Sequence, residues 1–383
     1  MVMNKRQAII LVAICALATK LQRLPSLLSL TVMQDGWIVL LALGFADILF
    51  ACLALWFFNA FNNVGTFYEV FEKIYGKVIS KILFIVLFAY FLISAVLPFE
   101  AIHDLFANML FNQINYNYFG LIFIGVLIFS SAKGLQMMGR QIEIYTALVT
   151  VGIVGVLAFG LFSADFSKIL PAGHTDFSVF INEAARSSLW YGDFMIIFLL
   201  TGRVNLKKGE NLWLGILLPF ASVLLLIVPL AYVAFYSLYN NLAGFQSSAI
   251  SSLTQFSLLS LDIGRIDWFF VLFEQVSTIL SASIYIYLAA ECFSQVFAIK
   301  RPLFIITLIA LVLFLADVFI FKNLTTSPLL FRQVFYVFAL IWNYVLPLIY
   351  AFSGLVYLKT HAVKREEINP AIGGENYTRR EAR

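Results

Sequence analysis

Charge is scarce in this sequence. Only 12% of its 383 residues are Asp, Glu, Lys or Arg, whereas 62% are hydrophobic and 16% are aromatic. A typical soluble chain carries roughly 25% charged residues, so this chain has too few of them to cover a surface that faces water. Soluble enzymes, nucleic-acid-binding proteins and secreted disulfide-linked scaffolds are therefore excluded. We expect most of the surface to face lipid.

Cysteine and histidine are also scarce, with three residues of each. Cys15, Cys52 and Cys292 lie inside apolar runs and lack the spacing of metal ligands, so we interpret them as small buried hydrophobic residues. Three scattered histidines assemble no catalytic or zinc-binding pattern, and the sequence has no P-loop, nucleophile elbow or HExxH motif. We therefore predict no enzymatic activity, no cofactor and no metal site.

Long apolar runs, by contrast, fill the chain. A membrane-spanning helix needs roughly 20 apolar residues. Candidate spans occupy residues 7–31 (interrupted), 36–58, 82–102, 116–132, 144–163, 187–202, 212–238, 268–297, 302–321 and 333–358. The sequence thus predicts an all-α integral membrane domain with ten transmembrane helices over residues 1–358. Residues 359–383 are hydrophilic and predict a disordered cytoplasmic tail.

The distribution of positive charge predicts the orientation. With the N-terminus placed in the cytoplasm, few Lys and Arg residues fall on the other side of the membrane: Lys168, Arg186, Arg265, Lys322 and Arg332. This bias predicts that both termini are cytoplasmic. Lys5 and Arg6 before the apolar stretch 8–18 also fit a cleavable signal peptide, which would leave nine spans.

Polar residues interrupt the first span. Its apolar run 8–18 is followed by Thr19, Lys20, Gln22 and Arg23 and then by Pro25, which tends to break a helix at the preceding residue. A discontinuous helix with polar groups at the break is typical of secondary transporters. The alternative is a proline-kinked helix whose Lys and Arg side chains reach the membrane interface.

The sixth span has a similar interruption at Gly192 and Asp193. Ten spans divide into five plus five, which makes the sixth the counterpart of the first. We therefore predict a 5+5 inverted repeat with broken helices 1 and 6 and a binding site between them. Because neither charge is tolerated alone at that depth, Lys20 or Arg23 is expected to pair with Asp193.

A polar stripe marks the eighth span. Glu274, Ser277, Thr278, Ser281 and Tyr285 recur at helical spacing on an otherwise apolar helix. The stripe would line a cavity or relay protons and ions; alternatively, its hydroxyl groups only join one helix to another.

Other polar features lie at or near the membrane. Glu100 lies towards the end of the third span, and Glu291 is interpreted as a residue at the cytoplasmic interface. Asp47 and Asp317 stand alone in their spans and fit protonated, hydrogen-bonded packing residues. Residues 66–81 alternate aromatic and charged residues and predict an amphipathic helix at the membrane surface or against a partner.

Several segments together resemble a known family. They are Leu24-Pro25 followed by Gln34-Asp35-Gly36-Trp37, TFYEVFEKIYGK from residue 66, Glu100, DFSKILPAG from residue 165, Tyr191-Gly192-Asp193 and FSLLSLDIGRIDWF from residue 256. Their order and spacing resemble those of the endospore germination permeases, the B subunits of nutrient germinant receptors. The resemblance extends to about residue 358 and runs across the signal-peptide site, which argues against cleavage.

The resemblance implies a fold and a function. The fold would be that of the amino acid, polyamine and organocation transporter superfamily, in the inner membrane of a spore or in the cell membrane. The protein would bind a small nutrient, usually an amino acid, in a midplane cavity and trigger germination together with an A subunit and a lipoprotein C subunit. Nucleic acid is not an expected partner.

The ligand pocket would lie between spans one, three, six and eight. The predicted ligand-binding residues are Thr19, Lys20, Gln22, Arg23, Glu100, Tyr191, Gly192, Asp193, Glu274, Ser277, Thr278 and Ser281. Transporters of the superfamily usually have small residues at the break of the first span, where this chain has larger polar ones. We therefore expect Lys20 or Arg23, rather than bare backbone, to hold a ligand carboxylate.

Two other functions remain open on the sequence. One is a secondary permease that moves amino acids with protons or another ion, in which Glu274 or Asp193 carries the coupling proton. The other is a channel for water or ions, lined by the stripe of the eighth span.

Overall fold

The computed structural model describes residues 3–62, 65–104, 116–206, 212–246, 248–259, 267–299, 302–316, 318–319 and 328–368. Almost all of these residues are helical. The α-helices are α1 (Lys5–Ala18), α2 (Leu24–Ser29), α3 (Gly36–Phe61), α4 (Phe67–Asp104), α5 (Tyr116–Ala132), α6 (Leu135–Phe162), α7 (Phe177–Ser187), α8 (Met195–Leu199), α9 (Trp213–Ser222), α10 (Val228–Tyr239), α11 (Ala249–Leu259), α12 (Asp267–Phe297), α13 (Pro302–Ala316), α14 (Pro328–Leu340) and α15 (Leu346–Ile368). A π-helical turn joins α9 to α10 and another joins α14 to α15.

Six stretches of helix are long and apolar enough to cross a membrane. They are Met33–Phe61, Phe67–Ile102, Leu135–Phe162, Trp213–Phe245, Phe270–Phe297 and Arg332–Lys359. They correspond to the second, third, fifth, seventh, eighth and tenth predicted spans. The apolar helices Gly120–Ala132 and Pro302–Ala316 are shorter and coincide with the fourth and ninth. The chain is thus an α-helical integral membrane protein, while the 5+5 arrangement of ten spans stays a prediction.

The chain leaves the helical conformation in the first and sixth predicted spans. α1 ends at Ala18 and α2 begins at Leu24, with Pro25 in its first turn, where a missing N–H costs nothing. In the sixth span, α7 is followed by a 3₁₀ turn at Ser188–Trp190, and α8 begins only at Met195.

α12 lies at the centre of the molecule. It packs against α1, α4, α5, α6, α11 and α13, and it is the most buried of the six long apolar stretches. Its polar stripe, from Glu274 to Tyr285, is buried, so the stripe of the eighth span faces the protein interior rather than lipid.

The prediction of a surface helix over residues 66–81 is wrong for its first part. Phe67 and Phe71 are buried, and the Phe71 ring lies 5.0 Å, centroid to centroid, from Tyr350. A kink at Gly76, whose φ is +77°, separates this part from the rest of α4. The aromatic face that suggested membrane or partner binding packs instead inside this chain.

Both ends of the chain differ in detail from expectation. β1 (Met3–Asn4) pairs in parallel with β2 (Val204–Asn205) and joins the start of the chain to the segment after the sixth span. α15 continues to Ile368, ten residues past the predicted boundary at 358. The rest of the predicted tail lies outside the described residues.

A loop between α6 and α7 is tied to the start of α3 by one carboxylate. Asp35 is buried and accepts hydrogen bonds from the backbone N of Gly173 (2.7 Å) and from the backbone N and the hydroxyl of Thr175 (both 2.8 Å). Gln34 Nε2 also donates to the carbonyl of Pro171 at 3.1 Å. Gln34 and Asp35, which belong to one of the segments that carry the family resemblance, therefore hold this loop in place.

We expect Asp35→Ala to free this loop. The amides of Gly173 and Thr175 would lose a charged acceptor, and a hydrogen bond to a charged group contributes about 1.5–3 kcal/mol. Hydrogen exchange of these amides should accelerate, as measured by mass spectrometry of the protein in nanodiscs. Asp165→Ala is the matched control, because Asp165 is exposed and bonds Ser167 within its own turn. Unchanged exchange in Asp35→Ala would contradict this role.

Candidate functional site

A buried ion pair joins the two interrupted spans. Lys20, in the segment between α1 and α2, is fully buried, and its Nζ pairs with the carboxylate of Asp193, which is itself only 4% exposed. The Lys20 ammonium also lies 4.9 Å from the centroid of the Tyr191 ring, within the range of a cation–π contact. Lys20, and not Arg23, is thus the partner of Asp193.

Asp193 is held from a second side by α12. The hydroxyl of Tyr285 donates to Asp193 Oδ1, while Lys20 occupies Oδ2. Both carboxylate oxygens therefore have donors, one from the segment between α1 and α2 and one from α12, which orients the group and stabilises its negative charge.

Side chains from three neighbouring helices satisfy the backbone at the break before α8. The N–H of Gly192 donates to Asp47 Oδ2 (3.0 Å), and its carbonyl accepts from the Tyr90 hydroxyl (2.8 Å). Asn343 Nδ2 donates to the carbonyls of Ser188 (2.7 Å) and Tyr191 (3.0 Å). Unpaired backbone groups are costly at bilayer depth, so these contacts make the interruption tolerable.

Gly192 is required by the geometry of this break. Its φ is +98°, in the region that favours glycine. A Cβ at this position would overlap Asn343 Oδ1 and lie 2.8 Å from Tyr90 Oη. The sequence Tyr191-Gly192-Asp193 thus turns the chain sharply and aims Asp193 at Lys20.

A second polar group forms around Glu274 of α12. The carboxylate is fully buried and accepts from Gln22 Nε2 (2.7 Å) and Gln275 Nε2 (3.0 Å), with the hydroxyls of Ser277 and Thr278 each at 3.5 Å. Among the described residues no cation lies within ion-pair distance of this carboxylate. Amides and hydroxyls therefore provide all of the hydrogen bonds to Glu274 that the structure describes.

Gln22 connects the two polar groups, because it belongs to the same segment as Lys20. Its side-chain oxygen accepts from the hydroxyl of Ser248 at 3.1 Å, and its backbone carbonyl accepts from the N–H of Ala249 at 2.8 Å. The segment between α1 and α2 is thus fixed from α11 as well as from α12. Thr19 and Ser281 are both buried in these same elements.

Arg23 and Glu100 form an ion pair nearer to the surface. Arg23 Nη1 contacts Glu100 Oε1 of α4, and the two side chains are 21% and 11% exposed, respectively. This pair lies at the end of the segment that continues into α2. It is the most accessible charged contact among the predicted site residues.

Some residues at the site were assigned other roles or missed. Asp47 was interpreted as a protonated, hydrogen-bonded packing residue, and its Oδ2 accepts a hydrogen bond from the backbone N–H of Gly192. Tyr90 and Asn343 had no assigned role; a lone Asn in an apolar span was a usable signal, while one Tyr among many aromatic residues was not. Asp317 lies outside the described residues. Glu291 lies near the far end of α12 and pairs with Arg203 at 2.7 Å.

No metal ligand set is recognisable in the part of the chain that the structure describes: no three His, Cys, Asp or Glu side chains come together there. The site consists instead of opposite charges, amides and hydroxyl groups at the junction of two interrupted helices.

The model of a family described as spore germination protein matches residues 2–325, which include every predicted site residue. No curated protein matches the chain.

Proposed function

The chain belongs to the spore germination protein family, and we propose that it is the membrane subunit of a spore germinant receptor. In this proposal it binds a small nutrient, an amino acid, at the Lys20–Asp193 site and triggers germination without chemical conversion of the nutrient. The observation that carries the proposal is the buried pair of opposite charges at the junction of two interrupted spans. It acts with A and C subunits in the spore inner membrane, with both termini in the cytoplasm.

The charge pattern of the site matches that of an α-amino acid. A ligand carboxylate would take the place of Asp193 beside Lys20, while a ligand ammonium would pair with the released Asp193 carboxylate. The larger polar residues of the first break support this role, because they replace bare backbone amides with a side-chain cation. Glu274 and Gln22 lie on the same segments and would contact a polar ligand side chain.

Ligand access requires the site to open. Lys20, Asp193 and Glu274 are all buried, so a nutrient reaches them only when the segment between α1 and α2 moves relative to α12. In the opened site, the Lys20–Asp193 ion pair would be replaced by two ion pairs with the ligand. The ligand would therefore bind the opened site more tightly than the closed one and shift the equilibrium towards it. In a 5+5 inverted repeat, this movement would separate the two halves.

A second candidate function is supported by Glu274. A buried carboxyl group bonded by amides and hydroxyls, with no cation at ion-pair distance among the described residues, is suited to take up and release a proton. The chain would then be a proton-coupled amino acid permease. The two functions differ in whether the nutrient is moved across the membrane after it is bound.

We expect the purified full chain in nanodiscs to bind at least one of the standard L-amino acids in calorimetric titrations. The amide and the deaminated acid of that amino acid should each bind about 100-fold more weakly, because each leaves one buried charge without its partner. Lys168→Met, which alters an exposed lysine, should bind normally. Equal binding of the intact amino acid and both analogues would refute the site assignment.

The same protein in proteoliposomes distinguishes the two functions. A receptor should bind the labelled amino acid without accumulating it when a proton gradient is imposed. Accumulation would favour the permease. Spores that lack the gene should lose their response to that amino acid while its uptake by growing cells is unchanged.

A further inference from the structure

An apolar crevice opens on the side of the molecule, along the part of α1 that precedes the Lys20 segment. It has a volume of about 270 Å³ and lies between α1, α6 and the α9–α10 helix. Residues from all three helices line it, among them Ile9, Ala13 and Leu17 of α1, Val149 and Ile153 of α6, and Val223 of the π-helical turn after α9. An apolar cavity of about 150 Å³ already binds benzene, so this crevice is large enough for a chain of several methylene groups.

The polar groups of the crevice are already paired. The hydroxyls of Thr146 and Thr150 donate to backbone carbonyls of their own helix, at 2.5 Å and 2.8 Å. Every other lining residue is apolar. An occupant therefore gains no hydrogen bond here and must itself be apolar.

The crevice is continuous with the lipid-facing surface. Val154 lines it and is 60% exposed, and Val151, in the next turn of α6 outside the crevice, is 53% exposed. Leu226 of the neighbouring helix is likewise exposed. Because this surface lies at bilayer depth in an integral membrane protein, lipid acyl chains are the apolar groups that reach the mouth of the crevice.

Positive charge lies at one end of the crevice. Lys5 and Arg6 are one helical turn before Ile9 and Ile10, so they share the face of α1 that lines it. Arg6 is 81% exposed and lies 3.9 Å from Glu143, while Lys5 has no acidic partner among the described residues. Two cations and a single carboxylate thus leave net positive charge at this end, which complements an anionic headgroup.

We propose that this crevice binds an anionic phospholipid, with a segment of one acyl chain between α1, α6 and α9 and with the phosphate beside Lys5 and Arg6. From Ile9 to Leu17 the crevice extends roughly 12 Å along α1 at 1.5 Å per residue. Its upper end adjoins the site segment, since the carbonyl of Leu17 accepts the N–H of Lys20 at 3.3 Å. A bound acyl chain therefore packs against α1 next to the segment that holds the Lys20–Asp193 ion pair.

The test uses the full chain in phosphatidylcholine nanodiscs with a small fraction of phosphatidylglycerol that carries a diazirine in its acyl chain. After illumination, mass spectrometry should find the label on residues 9–17, 146–154 and 219–227 more strongly than on the exposed face of α13 at Leu308 and Leu311. Ala13→Phe fills the crevice and Thr150→Phe narrows its mouth, so each should lower this labelling about tenfold. Val151→Phe, outside the crevice, should leave it unchanged.

A comparison of two lipid headgroups tests the contact of the phosphate with Lys5 and Arg6. Diazirine-labelled phosphatidylcholine should label the crevice several-fold less than labelled phosphatidylglycerol, and replacing Lys5 and Arg6 with Gln should abolish this difference. The proposal is overturned if the crevice is labelled no more than α13, or if both Phe variants label like the unaltered chain. A preference for phosphatidylglycerol that survives the Gln replacements would overturn the headgroup assignment.

Discussion

Asp193→Asn should destabilise the folded protein by about 3 kcal/mol, because it leaves the Lys20 ammonium buried without its counter-charge. Lys20→Met should cost a similar amount by leaving the Asp193 carboxylate with only the Tyr285 hydroxyl as donor. The double variant removes both charges and should cost only about 1 kcal/mol, giving a coupling energy of about 5 kcal/mol between the two sites. The free energy of unfolding can be measured for all four proteins by denaturant titration in mixed micelles.

Two further double-mutant cycles test whether the coupling is specific to Lys20 and Asp193. Arg23→Met combined with Asp193→Asn should be additive, since Arg23 pairs with Glu100 and not with Asp193. Arg203 and Glu291 form a pair that is more exposed than Lys20 and Asp193, with 12% and 21% exposure of the two side chains, and should couple more weakly than those two residues. Additivity of Lys20 and Asp193 would contradict the ion pair. Recovery of stability in the double variant without recovery of amino acid binding would separate folding from function.

The positions of the interruptions could be predicted because they depend on local rules. Eleven apolar residues are too few to span a bilayer, and Pro25 fixes where the helix can resume, so the break between α1 and α2 followed from the sequence. Gly192 beside Asp193 gave the second break in the same way. The need to neutralise a buried charge predicted an ion pair between these segments.

The partner of Asp193 could not be chosen from the sequence. Lys20 and Arg23 are three residues apart, so both reach the same region from a chain that is not helical there. The choice depends on α4, whose Glu100 takes Arg23, and on α12, whose Tyr285 fixes Asp193 opposite Lys20. These contacts join residues that are far apart in the chain, and no local pattern encodes them.

The burial of Phe67 and Phe71 was missed for a related reason. An aromatic face on a helix with charged residues opposite looks the same whether it meets lipid, a partner or its own chain. What the aromatic face packs against depends on the tertiary structure, and here it packs against Phe57, Phe198 and Tyr350. The roles of Tyr90 and Asn343 are equally non-local, because each bonds a backbone group more than 100 residues away.

Gly192→Ala should be among the most damaging single substitutions in the chain. It forces an L-residue to a φ of +98° and places a Cβ against Asn343 and Tyr90, the side chains that satisfy the backbone of this break. Strain of the backbone alone costs about 1–3 kcal/mol, and displacement of the Asn343 amide adds the cost of unpaired carbonyls at Ser188 and Tyr191. We expect a loss of stability of about 4 kcal/mol in total.

Alanine substitutions at two other glycines separate the cost of backbone strain from the cost of the steric overlap. Gly76 also has a positive φ, +77°, but a Cβ there meets no described atom within 4 Å, so Gly76→Ala should show the backbone cost alone. Gly125 lies within a helix and is equally unobstructed, so Gly125→Ala should be neutral or stabilising by up to about 1 kcal/mol. If Gly192→Ala cost no more than Gly76→Ala, the close packing of Asn343 and Tyr90 around this turn would be refuted. Because the turn aims Asp193 at Lys20, Gly192→Ala should also abolish amino acid binding in protein that still folds, whereas the other two variants should retain it.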